Sequence, residues 1–386
     1  MVFWGCLFLA AHTYVLYPCV LFVAYAVVQA AHDLRYLGRR RDRRRADLAD
    51  DQLPGVTLLV PAYNEDAHLE RKLENVRALD YPRDRLQVIF VSDGSTDRTN
   101  EMLGTVTEAW AETLLLPERG GKAHALNAAV ARARHEILIF SDASTLFAPD
   151  AIRRLVRHFV DPTVGVACGT LTFTGNAEHG QTEGVYWGYE IMLRLMEARL
   201  GATLTASGAI YAARRACYRP LTAADVIDDF VVPMHARQLG YRIVFDPEAQ
   251  ALEFAAASVE GEFRRRARIA VGSFRALGRF SRVPMGVFAS FSFFSHKVLR
   301  WVLPFLMLGV FASNALLLGR PFYRAVFAAQ LAFYGWATLG FLLRERIQKI
   351  PYALLAYFLV AINVAYLVGF FRFVGGRSET AWQRVR

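Results

Sequence analysis

The sequence predicts an α/β domain with a mainly parallel sheet, carried between membrane-spanning helices. Three observations lead there. Between Pro54 and about Ala255, short apolar runs bounded by Gly, Pro, Asp and Asn alternate with helical patterns, which implies a sheet with helices on both faces. Around that region lie four nearly uncharged stretches, 2–31, 301–319, 325–343 and 351–371. Each is about long enough to cross the roughly 30 Å of hydrocarbon in a bilayer. Hydrophobic residues make up 54% of the 386, more than a water-soluble enzyme of this length carries.

The first apolar stretch is followed, not preceded, by positive charge. The run RYLGRRRDRRR (35–45) holds seven arginines, and no small-residue cleavage pattern is evident, so the segment is expected to remain as an anchor. Basic residues at a membrane exit mark the cytosolic side, which puts the N-terminus outside and the next domain in the cytosol. The basic loop 344–349 fits the same orientation. The expected organisation is a membrane helix at 1–33, a basic cytosolic linker at 34–53, the α/β domain at 54–258, amphipathic interfacial helices at 259–300, membrane helices at 301–373 and a tail at 374–386. One crossing before the domain and three after it would leave GGRSETAWQRVR (375–386) outside, although its arginines favour the cytosol. Either FASFSFF (288–294) adds a re-entrant or extra crossing, or the last segment is not a full span.

Within the domain, 56–60 reads as a strand closed by Pro61, 69–78 as a helix and 86–91 as a second strand. A helix at 99–110, a strand at 113–116, a helix at 122–133, a strand at 137–140 and a helix at 149–159 follow. Ligands of such sheets bind outside the carboxyl ends of the strands. The polar segments PAYNE (61–65), SDGS (92–95) and SDAS (141–144) all fall there. One Asp- and Ser-rich turn is ordinary helix capping. Three in register, each with a carboxylate, point to one shared site.

The net charge of +10 sits largely beside the membrane segments. No basic surface interleaved with stacking aromatics is evident, so no nucleic-acid partner is expected. Cys6 and Cys19 lie in the first apolar stretch, and Cys168 and Cys217 are isolated. They lack metal-ligand spacing and would be reduced in a cytosolic domain. His124, His158 and His235 are expected to be helix-surface or packing residues. Few charges occur within the apolar stretches, which argues against an ion-coupled transporter.

The segments VPAYNED (60–66), VSDGSTDRT (91–99), GGKAHALNAA (120–129), FSDASTLF (140–147) and IDDFVVPMHARQLGYRIVF (227–245) occur in the order found in inverting family-2 glycosyltransferases. Over about 54–278 the chain resembles their membrane-bound members of the cellulose, chitin and hyaluronan synthase type. The resemblance implies a glycosyltransferase A-type fold and transfer of a sugar from a nucleoside-diphosphate donor, a UDP-sugar, to a glycan acceptor. It implies that Ala62, Tyr63 and Glu65 line the nucleotide pocket, that Asp93 contacts uracil or ribose, and that Lys122 lies near the nucleotide. Asp142 would approach the diphosphate through Mg²⁺ or Mn²⁺, and Asp229 takes the position of the catalytic aspartate. Asp228 and Asp229 also open a predicted helix, where the macrodipole favours carboxylates.

The chemistry needs these groups. A sugar hydroxyl is a poor nucleophile, and a carboxylate accepting its proton is worth roughly 10²–10⁴-fold. A hard cation neutralises the charge that grows on the departing diphosphate. One displacement with one base inverts the anomeric carbon. Where relatives carry a second aspartate, this chain has Ser144. Asp142, with Ser144 contributing its hydroxyl or holding a water, is therefore expected to hold the metal weakly until the diphosphate arrives.

On the acceptor side, FRRRARIAVGSFRAL (263–277) takes the place of an interfacial helix that bears Gln-x-x-Arg-Trp in polymer-making relatives. The matching positions are Arg265, Arg268 and Ile269, with Gly272 following. Arg268 would face the diphosphate, whereas Ile269 removes the flat ring on which a polymer's terminal sugar would stack. An amphipathic helix with arginines near lipid headgroups explains the segment equally. In TEGVYWGYEIMLRLMEARLG (182–201), Glu183, Glu190 and Glu197 fall on one helix face. Tyr186, Trp187 and Tyr189 would either stack on acceptor sugar or pack. ASGAIYAARR (206–215) resembles an acceptor-site strand, with Ser207 and Gly208 facing substrate beside Asp228. Three readings remain. They are polysaccharide extension at a bacterial inner membrane, single-sugar transfer to a lipid or lipid-linked acceptor, and an inactive nucleotide-sugar-binding scaffold for a synthase complex. Partners expected beside the bilayer are a homo-oligomer or a synthase complex.

Overall fold

The computed structural model describes residues 1–39, 47–174, 177–254, 259–281, 283, 285–347 and 354–376. The orientation expected from the basic run and from the tail therefore rests largely on residues outside those described.

The α/β domain is built on one eight-stranded sheet of order β3-β2-β1-β4-β7-β6-β8-β5. The strands are β1 (Val56–Ala62), β2 (Leu86–Asp93), β3 (Ala111–Leu116), β4 (Ile137–Phe140), β5 (Leu146–Phe147), β6 (Val164–Thr174), β7 (Tyr211–Arg214) and β8 (Arg242–Phe254). Strands β3, β2, β1 and β4 run parallel, each delivered by a helical crossover. Beyond β4 the sheet is mixed: β7 is antiparallel to both its neighbours, and β5 is antiparallel to β8. The expected parallel arrangement thus holds for β3-β2-β1-β4 and for the β6–β8 pair, while β7 and β5 run against their neighbours. The chain after β6 returns through a long helix and loops, not a second series of βαβ units.

Each buried strand divides its side chains between two cores with the period of two that a pleat imposes. Leu58, Val60, Val88, Phe90 and Ile139 point to one face. Leu59, Ile89, Val91, Leu138 and Phe140 point to the other. Pro61 does not close β1, which continues to Ala62 opposite Ser92. The ladder to β4 has already ended at Leu59, so on that side the amide hydrogen that proline lacks is not needed. The helix expected at 99–110 stops at Leu103, where Gly104 and the β-branched run Thr105-Val106-Thr107 follow.

Among the described residues, four helices are long and apolar enough to cross a membrane: Val2–Gly38, Val287–Ala315, Pro321–Leu342 and Leu355–Val374. The stretch 288–294 forms no separate crossing, because it is the first part of the second of these helices. The first two helices each contain one wider turn, His12–Leu16 and Phe293–Val298. His12 Nε2 meets Ser295 Oγ across them at 2.9 Å.

The second core continues into the membrane layer. Phe230, beside the Asp228-Asp229 pair, packs edge-on to Phe280 and Trp301 at 5.8 Å and lies parallel to Phe293. The helix Val259–Phe280 rests on Leu355–Val374, with Phe274 and Phe370 rings 5.1 Å apart. Beneath them, Glu190 and Glu197 of the helix Ala177–Arg199 point one way, as their spacing predicts, into a buried polar cluster. Tyr17 OH and Ser292 Oγ donate to Glu197 Oε1 at 2.5 and 2.7 Å. His296 lies between the two carboxylates, 2.5 Å from Glu197 and 3.2 Å from Glu190, and Arg300 pairs with Glu190.

Candidate active site

The carboxyl ends of β1, β2 and β4 meet at one edge of the sheet, and three loops interlock there. Asn64 holds the one positive φ outside glycine among the described residues, +54°. That conformation lets its Oδ1 accept the Thr96 N–H at 2.8 Å while its own N–H donates to Ser95 Oγ at 3.1 Å. The Glu65 N–H donates to Thr99 Oγ1 at 2.9 Å, which ties the loops after β1 and β2 together. Ala62 and Glu65 are buried, and the Arg119 guanidinium stacks 3.8 Å over the Tyr63 ring.

Asp93 ends β2 and is buried, with its carboxylate oxygens accepting the N–H groups of Gly120 and Gly121 at 2.9 and 2.7 Å. It therefore fixes the Gly-Gly-Lys turn directly, a task the sequence reading did not assign to it. Gly94, at φ +65°, is needed for this approach. A Cβ there would come 2.7 Å from the Arg119 nitrogen.

Lys122 is the first residue of the helix Lys122–Arg132, where the macrodipole disfavours a cation. Two carboxylates offset this. Its Nζ lies 2.8 Å from Asp142 Oδ1 and 3.3 Å from Asp228 Oδ1. Burial alone would favour the neutral amine, but those anions hold Lys122 charged, above an ordinary lysine.

Asp228 and Asp229 open the helix Asp228–Gln238. Asp228 is buried and accepts the Tyr211 hydroxyl at 3.4 Å. Asp229 is half-buried and backs onto the 206–208 loop, where the Ala206 N–H donates to its backbone carbonyl at 2.8 Å. A methyl on Gly208 would sit 3.8 Å from Asp229 Oδ2, and Ser207 is buried beside it. Burial, then the neighbouring Asp228 charge, push the Asp229 carboxyl up to about 6.

Asp142 projects from the loop after β4, partly exposed. Ser144 Oγ donates to Glu253 Oε1 at 3.1 Å. Burial and then Asp142 push the Glu253 carboxyl up to about 7, with Arg265 opposing. Asp142, Ser144 and Glu253 are oxygen donors only. Among the described residues no three His, Cys, Asp or Glu side chains gather into a closed metal cage. Such a set suits a hard cation that completes its shell with water and phosphate oxygens.

On the helix Val259–Phe280, Arg265, Arg268 and Gly272 share one face. A Cβ on Gly272 would meet Val226 and Ile227 at 3.3 Å, so this face abuts the segment that leads into Asp228. Ile269 is partly buried and packs against the core. Trp187, with Glu183 and Tyr186, falls where the side chains lie outside those described. His124 sits 3.5 Å from Asp93, His158 pairs with Asp246, and His235 lies against Arg279.

Two residues escaped the sequence reading. Lys72, fully buried, donates to Ser141 Oγ and to the Thr145 carbonyl, both at 2.6 Å, and so pins the Asp142 loop from below. It carried no signal, since its helix pattern alone reads as a surface lysine. Glu253 stands 109 residues from Ser144 along the chain, and no local motif joins them.

Comparisons with known proteins bear on the family and the fold. The model described as Glycosyl transferase family 2 matches residues 57–216, and that described as Glycosyl transferase family group 2 matches 137–371. A poly-beta-1,6-N-acetyl-D-glucosamine synthase of Staphylococcus aureus (strain COL) is 27% identical over 243 residues, 61% of this chain and 58% of that protein. An N-acetylglucosaminyltransferase of Rhizobium sp. (strain N33) is 27% identical over 248 residues, covering 59% and 54%. The match thus spans a little over half of each curated relative. The mannosyltransferase PcManGT from Pyrobaculum calidifontis, solved with GDP-Man and Mn²⁺, superposes with a TM-score of 0.67 over 96% of this chain and 99% of that one. At 22% identity this likeness bears on the fold, which is of the glycosyltransferase A type.

Proposed function

The chain belongs to glycosyl transferase family 2, and from that premise we propose an integral-membrane, inverting transferase that moves a sugar from a nucleoside-diphosphate donor to a glycan acceptor. One observation carries the reading. Lys122 is held between Asp142 and Asp228, with Asp229 beside them, at the edge where the loops after β1, β2 and β4 converge. The basic run after the first apolar helix supports a cytosolic site, as in a bacterial inner membrane.

In this reading the Asn64–Glu65 loop and the Arg119-covered Tyr63 ring form the nucleotide pocket. Asp93 holds the glycine turn that presents Lys122. Lys122 and Arg268 offset the charge of the diphosphate. Asp142 and the Ser144 hydroxyl would hold a Mg²⁺ or Mn²⁺ ion, which would add neutralising charge beside the diphosphate. Asp229 accepts the proton of the acceptor hydroxyl, with Ser207 and Gly208 flanking that hydroxyl. Asp228 keeps Lys122 placed and charged. Because one base serves one displacement, the product is inverted.

The curated relatives make an N-acetylglucosamine donor carried on UDP the first to test, with GDP-mannose as the contrast suggested by the structural neighbour. Purified full-length protein in detergent with Mn²⁺ is expected to release nucleoside diphosphate from one member of a nucleotide-sugar panel. Asp229→Asn should lower that release by roughly 10²–10⁴-fold. No release from any donor, or equal release by the variant, would reject the reading and favour a binding scaffold.

Single transfer to a lipid or lipid-linked acceptor is the second reading, favoured by the packed Ile269 where polymerases carry an aromatic ring. A labelled product of one added sugar supports it, and a ladder supports polysaccharide extension.

A further inference from the structure

We propose that Glu253 is the second carboxylate of the cation–diphosphate site, supplied by strand β8 in place of the aspartate missing at Ser144. This rests on the metal-assisted reading above and goes beyond it in naming the donor. The backbone sets the placement. β5 pairs antiparallel with β8, Leu146 opposite Leu252 and Phe147 opposite Ala251, which brings residue 253 alongside the end of the Asp142–Ser144 loop. The side chains agree, since the hydroxyl of Ser144 donates to Glu253 Oε1 at 3.1 Å. That is its one hydrogen bond among the described residues, and the second carboxylate oxygen accepts none.

The chemistry explains why an acid stands there. Small divalent ions are held by one or two protein carboxylates, with water and phosphate oxygens filling the rest. The loop after β4 offers one, Asp142, because position 144 is serine. A hydroxyl that donates to a carboxylate orients it, as outer partners do for metal ligands generally. Ser144 is therefore a positioning residue for Glu253. Lys72 stiffens the same loop from beneath, so the Asp142 side of the pair is held as well.

The alternative is that Glu253 merely steadies the interfacial helix through Arg265. The two separate by metal affinity. Mn²⁺ is titrated, with the free ion followed by electron paramagnetic resonance, into full-length protein in detergent saturated with UDP or GDP, whichever it binds. Glu253→Gln is expected to weaken Mn²⁺ at least roughly 10-fold while nucleotide affinity in chelator is unchanged. Adding Ser144→Asp to that variant is expected to restore Mn²⁺ affinity, because it returns a carboxylate to the same shell. Wild-type affinity in Glu253→Gln overturns the assignment. So does a loss that Ser144→Asp fails to restore in a protein with an unchanged melting temperature. Should the wild-type complex bind no Mn²⁺ at all, the metal-assisted reading falls together with this one.

Discussion

Asp229 is half-buried, one residue from a second aspartate, and these two circumstances set its acidity. Removing a carboxylate from water disfavours its charge, and the Asp228 anion disfavours it further. Lys122, Arg194 and Lys297 pull the other way, and the balance leaves the group at about 6. The sign of the pH effect follows. Only the ionised carboxylate can accept a proton, so the active fraction is complete well above pH 6, halved near it, and falls about tenfold per unit below. Transfer measured as kcat/KM is expected to rise through pH 6 and level off by pH 7.5. A profile flat from pH 5 to 7.5 would remove Asp229 as the base. The site's local part was legible here, because Asp93, Lys122, Asp142 and Asp229 each sit in a short motif at a strand or helix end. Glu253 and Lys72 were not, because each reaches the site from a distant element without a motif of its own.

Among the elements, the interfacial helix depends on how closely it lies against the last membrane helix. Gly369 marks the contact. A Cβ there would lie 2.5 Å from Ala270 Cβ and 2.6 Å from the Ala267 carbonyl. Small residues allow such approach between membrane helices. Gly369→Ala should push the helices apart at a cost of about 1–3 kcal/mol and lower the melting temperature in detergent. Gly335→Ala, on the third membrane helix with open space around it, is the control and should leave the melt unchanged. Since Arg268 and Gly272 ride on the displaced helix, transfer should fall in Gly369→Ala as well. The periodicity of 263–277 announced an amphipathic helix, but which neighbour would cover it is a matter of tertiary contact.

Across the whole molecule, the sheet and the apolar helices share one core, and a buried polar cluster joins those helices to the helix Ala177–Arg199. His296 stands between Glu190 and Glu197, with Tyr17 and Ser292 completing the second carboxylate's bonds. The cluster ties the helix Ala177–Arg199 to the first two membrane helices, and that helix leads through Ala202 to the Ser207–Gly208 turn beside Asp229. Removing one partner of a buried charge group costs about 3–5 kcal/mol. His296→Ala should therefore destabilise the detergent-solubilised protein by about that much. Tyr17→Phe, which deletes one hydrogen bond to Glu197, should cost about 1–3 kcal/mol. A melt of either variant that matches wild type would mean the cluster does not join the two layers energetically.

Alternation and apolar run length, read along the chain, were enough to predict the strands β1, β2 and β4, the membrane helices and the loops that carry the aspartates. Those features depend on neighbours a few residues apart, where pleat period, helix period and bilayer thickness act directly. The antiparallel insertion of β7, the start of the second membrane helix at Val287, the burial of Lys72 and the meeting of Ser144 with Glu253 required the folded molecule. Each is decided by which distant surfaces bury each other, and no local period records that choice.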